Sequence, residues 1–440
     1  MKKNVLALSV ASALSFVAAE QARAAGFALY EQGISGMGNA YAGAAAVAED
    51  ATTVWWNPAG MARLPKGMHV AVGGAAIAPS WKFSNNGSTI ATASNPTKTG
   101  TGGDAGDVTF VPSAFFAMDL NPKWNFGVGV SVPFGLKTEY DADWIGRFQG
   151  IKSEVQTVNV NPAVSYKFSD AVSVGFGVNY QQGKIDILTG VNLAPLAGVP
   201  GLEAQNQINL NGDAWGFNAG ALFNVAPATR VGVHYRSSLS YKLDGNTEFF
   251  GVPPGPLSAS PLLRNGNIKF DLKTPDNLAV SVAHRMNDKL ELLGDITWWQ
   301  WSKISSIPVV RTDGPLAGST LSSLNFNFDD TYRLSIGANY KLSQPWTLKV
   351  GFAYDQTPVP NAESRTVRLP DADRYWFSAG AKYQMSKAGA LDVGYTYIHA
   401  SEADINNRQN NPAALQFNGN IVGTYKASVN VLGVQYQHTF

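Results

Sequence analysis

The sequence predicts an all-β protein: a 14-stranded antiparallel transmembrane β-barrel plugged by a small N-terminal hatch domain. Three observations carry that prediction. The chain opens on a secretory leader, continues in long segments that alternate large apolar with small or polar residues, and closes on an alternating segment that ends in phenylalanine.

At the start, Lys2-Lys3 precedes an apolar run from Val5 to Ala19 and the small-residue pattern Ala22-Arg23-Ala24. That is the make-up of a signal peptide, too short and wrongly flanked for a membrane anchor. Cleavage after Ala24 divides the chain into a signal peptide over 1–24, a hatch over 25–65 and a barrel over 66–440. Beyond the leader, no apolar run reaches the ~18 residues that a spanning helix needs. Loss of Lys2, Lys3, Arg23 and Glu20 turns the balance of 33 basic and 32 acidic residues into a mature charge near −1. Such a balance gives no electrostatic case for nucleic acid. The chain has no cysteine, which excludes disulfides, thiolate metal sites and cysteine nucleophiles.

The alternation is plain from Trp124, where Trp124, Phe126, Val128 and Val130 oppose Asn125, Gly127, Gly129 and Ser131. It returns with Val158, Val160, Val164 and Tyr166 against Asn159, Asn161, Ala163 and Ser165. Period two means a strand with two unlike faces. Strands of a soluble sandwich run about five or six residues. These segments are much longer, and their pattern fits an apolar belt facing lipid around a polar lumen. They fall near 68–80, 108–120, 123–136, 152–168, 171–187, 208–225, 228–245, 266–286, 289–305, 323–342, 345–357, 372–386, 389–403 and 421–440. Fourteen is an even number, as a single-chain bacterial barrel requires.

Short links such as Asn121-Pro122, Ser169-Asp170, Ala226-Pro227 and Asn287-Asp288 alternate with long connections over 188–207, 246–265 and 306–322. Short turns belong on the periplasmic side and long loops outside. Trp298, Trp299, Trp301, Tyr375 and Trp376, near strand ends, suit interfacial girdles. The last strand sets Leu432, Val434, Tyr436, His438 and Phe440 on one face, and Phe440 is the expected signal to the barrel-assembly machinery. The prediction is a monomer in the bacterial outer membrane, in contact with its lipid and lipopolysaccharide.

Residues 25–65 do not alternate. They hold a Gly/Ala-rich stretch, the acidic pair Glu49-Asp50, and Val54-Trp55-Trp56-Asn57-Pro58-Ala59-Gly60. So short and light a segment cannot bury a core alone. A barrel of this size has a lumen that can hold it. The competing reading, a periplasmic tail, would leave Trp55 and Trp56 in water.

These residues resemble the long-chain fatty acid and hydrocarbon transporters of the outer membrane, the FadL/TodX family. The likeness rests on Ala25-Gly26-Phe27, the hatch motif Asn57-Pro58-Ala59, Tyr235-Arg236-Ser237, Trp301-Ser302, and above all the run from Tyr354 to Pro360 followed by Leu369 to Gly380. The resemblance implies passive uptake of a hydrophobic small molecule, with no cofactor or metal. Long-chain fatty acids are the first expectation for the cargo, and aromatic or aliphatic hydrocarbons the second. It also implies a route through an external groove, an internal pocket at the mature N-terminus, and a sideways gap beside the third strand.

The residues can be set against each part of that route. The long loops carry Leu193, Leu196, Val199, Leu202, Phe249, Phe250, Leu257 and Leu262, an apolar density that marks a low-affinity groove or a loop pair packing on itself. Pro133, with Ser131, Phe134 and Gly135, should break the third strand, because proline cannot donate to a ladder and glycine weakens it. Pro162 is a similar defect on the fourth strand. For the pocket, Ala25, Gly26 and Phe27 match the family's N-terminus. The position of the family's head-group arginine falls on Ile187, so Lys184 and Arg147 stand as substitute cations.

Two other classes compete. The five histidines lie in no catalytic arrangement, and nucleophile-elbow, zinc and phosphate-loop motifs are lacking, so no catalytic residues are expected and a hydrolase is disfavoured. A general diffusion porin would have an open lumen and no hatch.

Overall fold

The computed structural model describes residues 26–407 and 412–440. The predicted signal peptide and Ala25 lie outside the described residues. Fourteen antiparallel strands close into a barrel, because the last pairs with the first from His69–Thr439 to Asn85–Gly423. The first six are β1 (Met68–Asn85), β2 (Thr109–Asp119), β3 (Trp124–Ser131, resuming at Gly135–Glu139), β4 (Lys152–Lys167), β5 (Val172–Asn192) and β6 (Glu203–Ala226). Four interrupted strands follow: β7 (Thr229–Arg236 and Ser240–Phe250), β8 (Gly266–Lys273 and Asn277–Arg285), β9 (Leu290–Trp299 and Ser306–Arg311) and β10 (Thr320–Asn325 and Thr331–Lys341). The circle is completed by β11 (Trp346–Asp355), β12 (Arg374–Gln384), β13 (Gly389–Ala400 and Ala403–Asn407) and β14 (Ile421–Thr439). Among the described residues, no helix is long and apolar enough to cross a membrane.

The alternation sorts side chains as period two requires. On β4, Asn159, Asn161, Ala163 and Ser165 are buried inward, whereas Val158, Val160 and Val164 are exposed on the lipid side. Strands extend well beyond the apolar belt, and this shortens the predicted loops. The connection expected over 188–207 contains the end of β5, one helical turn at Ala194–Ala197 and the start of β6. There Gln205, Asn206 and Gln207 hold the ladder with polar residues on both faces, so hydropathy stops reporting the strand while hydrogen bonding continues.

Residues 26–64 lie inside the barrel as short turns at Met37–Asn39, Ala44–Val47, Thr53–Trp56 and Pro58–Arg63. Inward-facing glycines let them approach the wall. A Cβ on Gly351 would collide with the Asn39 backbone, and one on Gly380 would lie 2.8 Å from the Gly38 Cα. Charged and polar side chains then fix the segment to the wall. Lys349 Nζ donates to Ser35 O and pairs with Glu49, both at 2.7 Å. Gln435 Nε2 donates to Asp50 Oδ2 at 2.8 Å, and Asn57 Nδ2 donates to Ala45 O at 2.7 Å and to Ala221 O at 3.0 Å. The aromatic residues expected as girdles divide by strand parity. Trp299, Trp301 and Trp376 are buried in the lumen, while exposed rings such as Trp124, Phe168, Trp346 and Phe440 lie at the short-turn end.

Overpacking at a close contact costs about 1–3 kcal/mol. Gly351→Val should therefore leave a folded, heat-modifiable barrel but make residues 26–64 sensitive to protease. Unaltered protease resistance would mean that the glycine contact does not hold the segment.

Candidate functional site

The site is built around one defect in the wall. Strand β3 pairs with β2 only from Asn125–Asp119 to Val130–Ala114, then leaves it. Its pairing with β4 runs to Ser131–Asn159 and resumes at Gly135–Gln156. Three residues, Val132, Pro133 and Phe134, thus face two, Thr157 and Val158, a β-bulge centred on a proline. Of the predicted break residues, Pro133 and Phe134 lie in the bulge, while Ser131 and Gly135 are the paired residues on either side of it.

The orphaned backbone groups at the bulge find partners elsewhere. The lumenal segment adds a short antiparallel bridge, Ala28 to Phe134, in which Leu29 N donates to Pro133 O at 2.9 Å and Gly135 N donates to Phe27 O at 3.0 Å. Gln32 Nε2 donates to Val132 O at 2.7 Å. From β4, the Thr157 hydroxyl accepts from Phe134 N at 3.0 Å and donates to Phe134 O at 2.8 Å. Pro162 behaves differently. Asn161 Nδ2 donates to Val178 O at 2.9 Å, in place of the missing proline N–H, and the β4–β5 register is the same on both sides. Pro162 therefore opens no gap.

Beside the bulge, the lumenal segment and the wall line a partly open cavity. Its apolar lining includes Leu29, Trp56, Pro133, Phe134, Leu239 and Trp299, and its polar lining includes Asn179, Gln181, His234, Arg236 and Asp295. Two interrupted ladders contribute to its wall, Ser237 and Leu239 from β7 and Thr274 and Pro275 from β8. Phe27 sits just behind this wall, its ring centroid 5.6 Å from that of Phe134 and 5.1 Å from that of Trp301. Gly26 is fixed beside it: Arg374 donates to Gly26 O at 2.9 Å, and a Cβ on Gly26 would meet the Trp301 ring at 2.5 Å. Asn57, Pro58 and Ala59 lie away from the cavity lining and anchor the segment against β5 and β6, where Ser173 Oγ donates to Ala59 O at 2.9 Å.

Neither substitute cation reaches this place. Lys184 is exposed on the outer face of β5, because its neighbours Ile185 and Ile187 point inward into the cluster that contains Phe27. Arg147 is buried among the external loops, bidentate to Glu203 at 2.7 and 3.1 Å and donating to Lys98 O at 2.8 Å. It staples three loop segments together. Arg236 is the cation that the sequence reading missed; it lines the cavity one strand position above His234 on the same inward face. The predicted groove residues also divide. Leu193, Leu202, Phe249 and Leu257 pack into a cluster with Ala204 and Leu263. Leu196, Val199, Phe250 and Leu262 are about half exposed or more, at 48, 51, 48 and 60%.

Comparison with known proteins agrees with this architecture. The family described as "Outer membrane protein transport protein (OMPP1/FadL/TodX)" matches residues 15–440. A long-chain fatty acid transport protein of Escherichia coli O6:H1 is 30% identical over 403 residues, covering 84% of this chain and 85% of that protein. Outer membrane protein P1 of Haemophilus influenzae is 30% identical over 400 residues, covering 83% of this chain and 84% of its own length. Two solved structures share the fold. A Pseudomonas aeruginosa FadL homologue superposes with a TM-score of 0.87 at 24% identity, covering 94% of this chain and all of that one. The Ralstonia pickettii toluene transporter TbuX gives 0.66 at 20% identity, again over 94% of this chain. With the bulged, closed barrel on one side and these relatives on the other, the chain is a member of the OMPP1/FadL/TodX family of outer-membrane transport proteins, and not an enzyme.

Proposed function

We propose that the chain is a passive conduit for hydrophobic compounds, long-chain fatty acids first among them, that releases its cargo sideways into the membrane at the bulge in β3. The observation that carries this reading is the bulge itself: a point where the wall lacks its ladder and is closed by residues 27–32 of the lumenal segment. In this reading, residues 25–65 act as a hatch. Cargo first meets the exposed Leu196, Val199, Phe250 and Leu262, then enters the cavity, and leaves past Pro133 and Phe134 when the hatch residues withdraw. On the lipid side the gap is flanked by Val108 and Phe110, 67 and 66% exposed. Each methylene taken out of water is worth about 0.8 kcal/mol, so transfer from water to cavity to bilayer is downhill and needs no ATP. The many rings of the cavity, Tyr30, Tyr41, Trp55, Trp56, Phe134 and Trp299, favour a second reading in which toluene-like hydrocarbons are the cargo. Competition between palmitate and toluene for the refolded barrel separates the two.

The hatch segment also carries a titratable group that tunes its hold. Burial pushes the Glu31 carboxyl up from 4.5 to about 7, against its backbone hydrogen bond and the guanidinium groups of Arg333 and Arg374, which pull it down. An acid raised in the folded state gives stability that is full below the unfolded value and is lost as pH rises through the folded one. Proteolysis or hydrogen exchange of residues 26–32 should thus increase between pH 4.5 and about 7. Glu31→Gln should flatten that slope; an unchanged slope in the variant would assign the pH effect to another group.

The sideways exit has a clean test because the chain has no cysteine. Ala28 and Phe134 form a non-hydrogen-bonded antiparallel pair, where Cα atoms come within about 4.5 Å, inside disulfide range. In Ala28→Cys/Phe134→Cys, oxidation should cut fatty acid uptake to background and reduction should restore it. Equal uptake in both states would rule out exit at the bulge.

A further inference from the structure

The two edges of the bulge are closed by different means. Toward β4, the Thr157 hydroxyl accepts from Phe134 N at 3.0 Å and donates to Phe134 O at 2.8 Å. A hydroxyl has one proton to give and lone pairs to offer, so a single side chain satisfies both backbone groups of one residue. Thr157 is 5% exposed, and its β-branched side chain has few rotamers open to it. The ladder to β4 resumes at once, from Gly135–Gln156 to Glu139–Lys152. On this edge both ties of Phe134 belong to the wall itself.

Toward β2 the wall supplies no backbone pairing for these residues, because that ladder ends at Val130–Ala114. Ser113 and Ser131, the next residue on each strand, are 4 and 1% exposed, and neither hydroxyl has a hydrogen-bond partner among the described residues. Phe134 turns its backbone groups to β4, so those of its neighbours turn the other way. There Pro133 O and Gly135 N are met by Leu29 N and Phe27 O of the lumenal segment. Adjacent amides thus depend on different parts of the chain: Phe134 on β4, and Gly135 on the lumenal segment.

Withdrawal of that segment would free Pro133 and Gly135 and leave Phe134 in place. We infer that Thr157 is a positioning residue for sideways exit: it pins the bulge to β4, so that the seam parts toward β2 alone and Phe134 stays fixed beside the opening. Without the pin, Phe134 would follow Phe27, whose ring centroid lies 5.6 Å from its own, and the seam would stay shut. The inference rests on the reading that cargo leaves at the bulge.

The two adjacent amides report the two edges in the wild-type protein. In bilayers, palmitate should speed hydrogen exchange at Gly135 and leave Phe134 protected. Loss of protection at both would overturn the inference and leave sideways exit standing; protection kept at both while palmitate crosses the membrane would remove the exit itself. Thr157→Val keeps the shape of the side chain and deletes both hydrogen bonds. A buried hydrogen bond is worth roughly a factor of ten, so this variant should bind palmitate as the wild type does but pass it about tenfold more slowly. Thr157→Ser, which keeps the hydroxyl, should restore the rate. Normal transport in Thr157→Val, binding lost together with transport, or no rescue by serine would each overturn the inference. If Thr157→Val forms no barrel, the wild-type amides decide the matter.

Discussion

A proline that cannot donate a hydrogen bond sits where a membrane-spanning wall needs one. In lipid, every open backbone group is expensive, so the bulge at Val132–Phe134 persists only because other parts of the chain satisfy it. Thr157 does so from the neighbouring strand, and Phe27, Leu29 and Gln32 do so from the lumen. The second source is the important one. It makes closure of the wall depend on a segment that belongs to no strand. Pro162 makes the contrast: its missing donor is replaced by Asn161 of the same strand, and nothing mobile is needed to keep that wall intact.

The segment's position follows from a division of labour between sequence regions. It has too little bulk to fold alone, so the barrel interior serves as its core, with glycines facing it and polar anchors at Lys349, Gln435 and Arg333. The far half, around Asn57 to Ala59, is tied to β5 and β6 by side-chain and backbone contacts. The near half, Gly26 to Gln32, closes both the cavity and the bulge. In the proposed route that firm anchor beside the closure is what a gate requires, and the interruptions in β7 and β8 line the space behind it.

Much of this was legible in the sequence. Fourteen period-two segments located the fourteen strands, although β1, β5, β6, β7 and β9 run five or six residues past the expected ends, and Pro133 marked the break. Other features were hidden for physical reasons. Trp298 and Trp299 are consecutive on one strand, so they must face opposite sides; reading both as girdle residues ignored parity, and Trp299 turns inward to hydrogen-bond Tyr30 at 2.8 Å. The same parity sends Lys184 outward while Ile187 goes in. Arg147 could not be placed because its partner Glu203 is distant in sequence, at the start of β6 where the polar run no longer reports a strand. Arg236 was detectable, since alternation with Gly232 and His234 puts it on the lumenal face, where an arginine among small and polar residues asks for a partner. The loop leucines split between a buried cluster and an exposed rim that composition cannot separate.

The central claim is that the bulge is closed by hydrogen bonds from the lumenal segment and that cargo opens it. Hydrogen exchange at the Leu29 and Gly135 amides, measured in bilayers with and without palmitate, addresses it directly. The account predicts that palmitate accelerates exchange at these two amides while the β3 amides from Phe126 to Val130 stay protected. Full protection of Leu29 and Gly135 under conditions where palmitate crosses the membrane would contradict it.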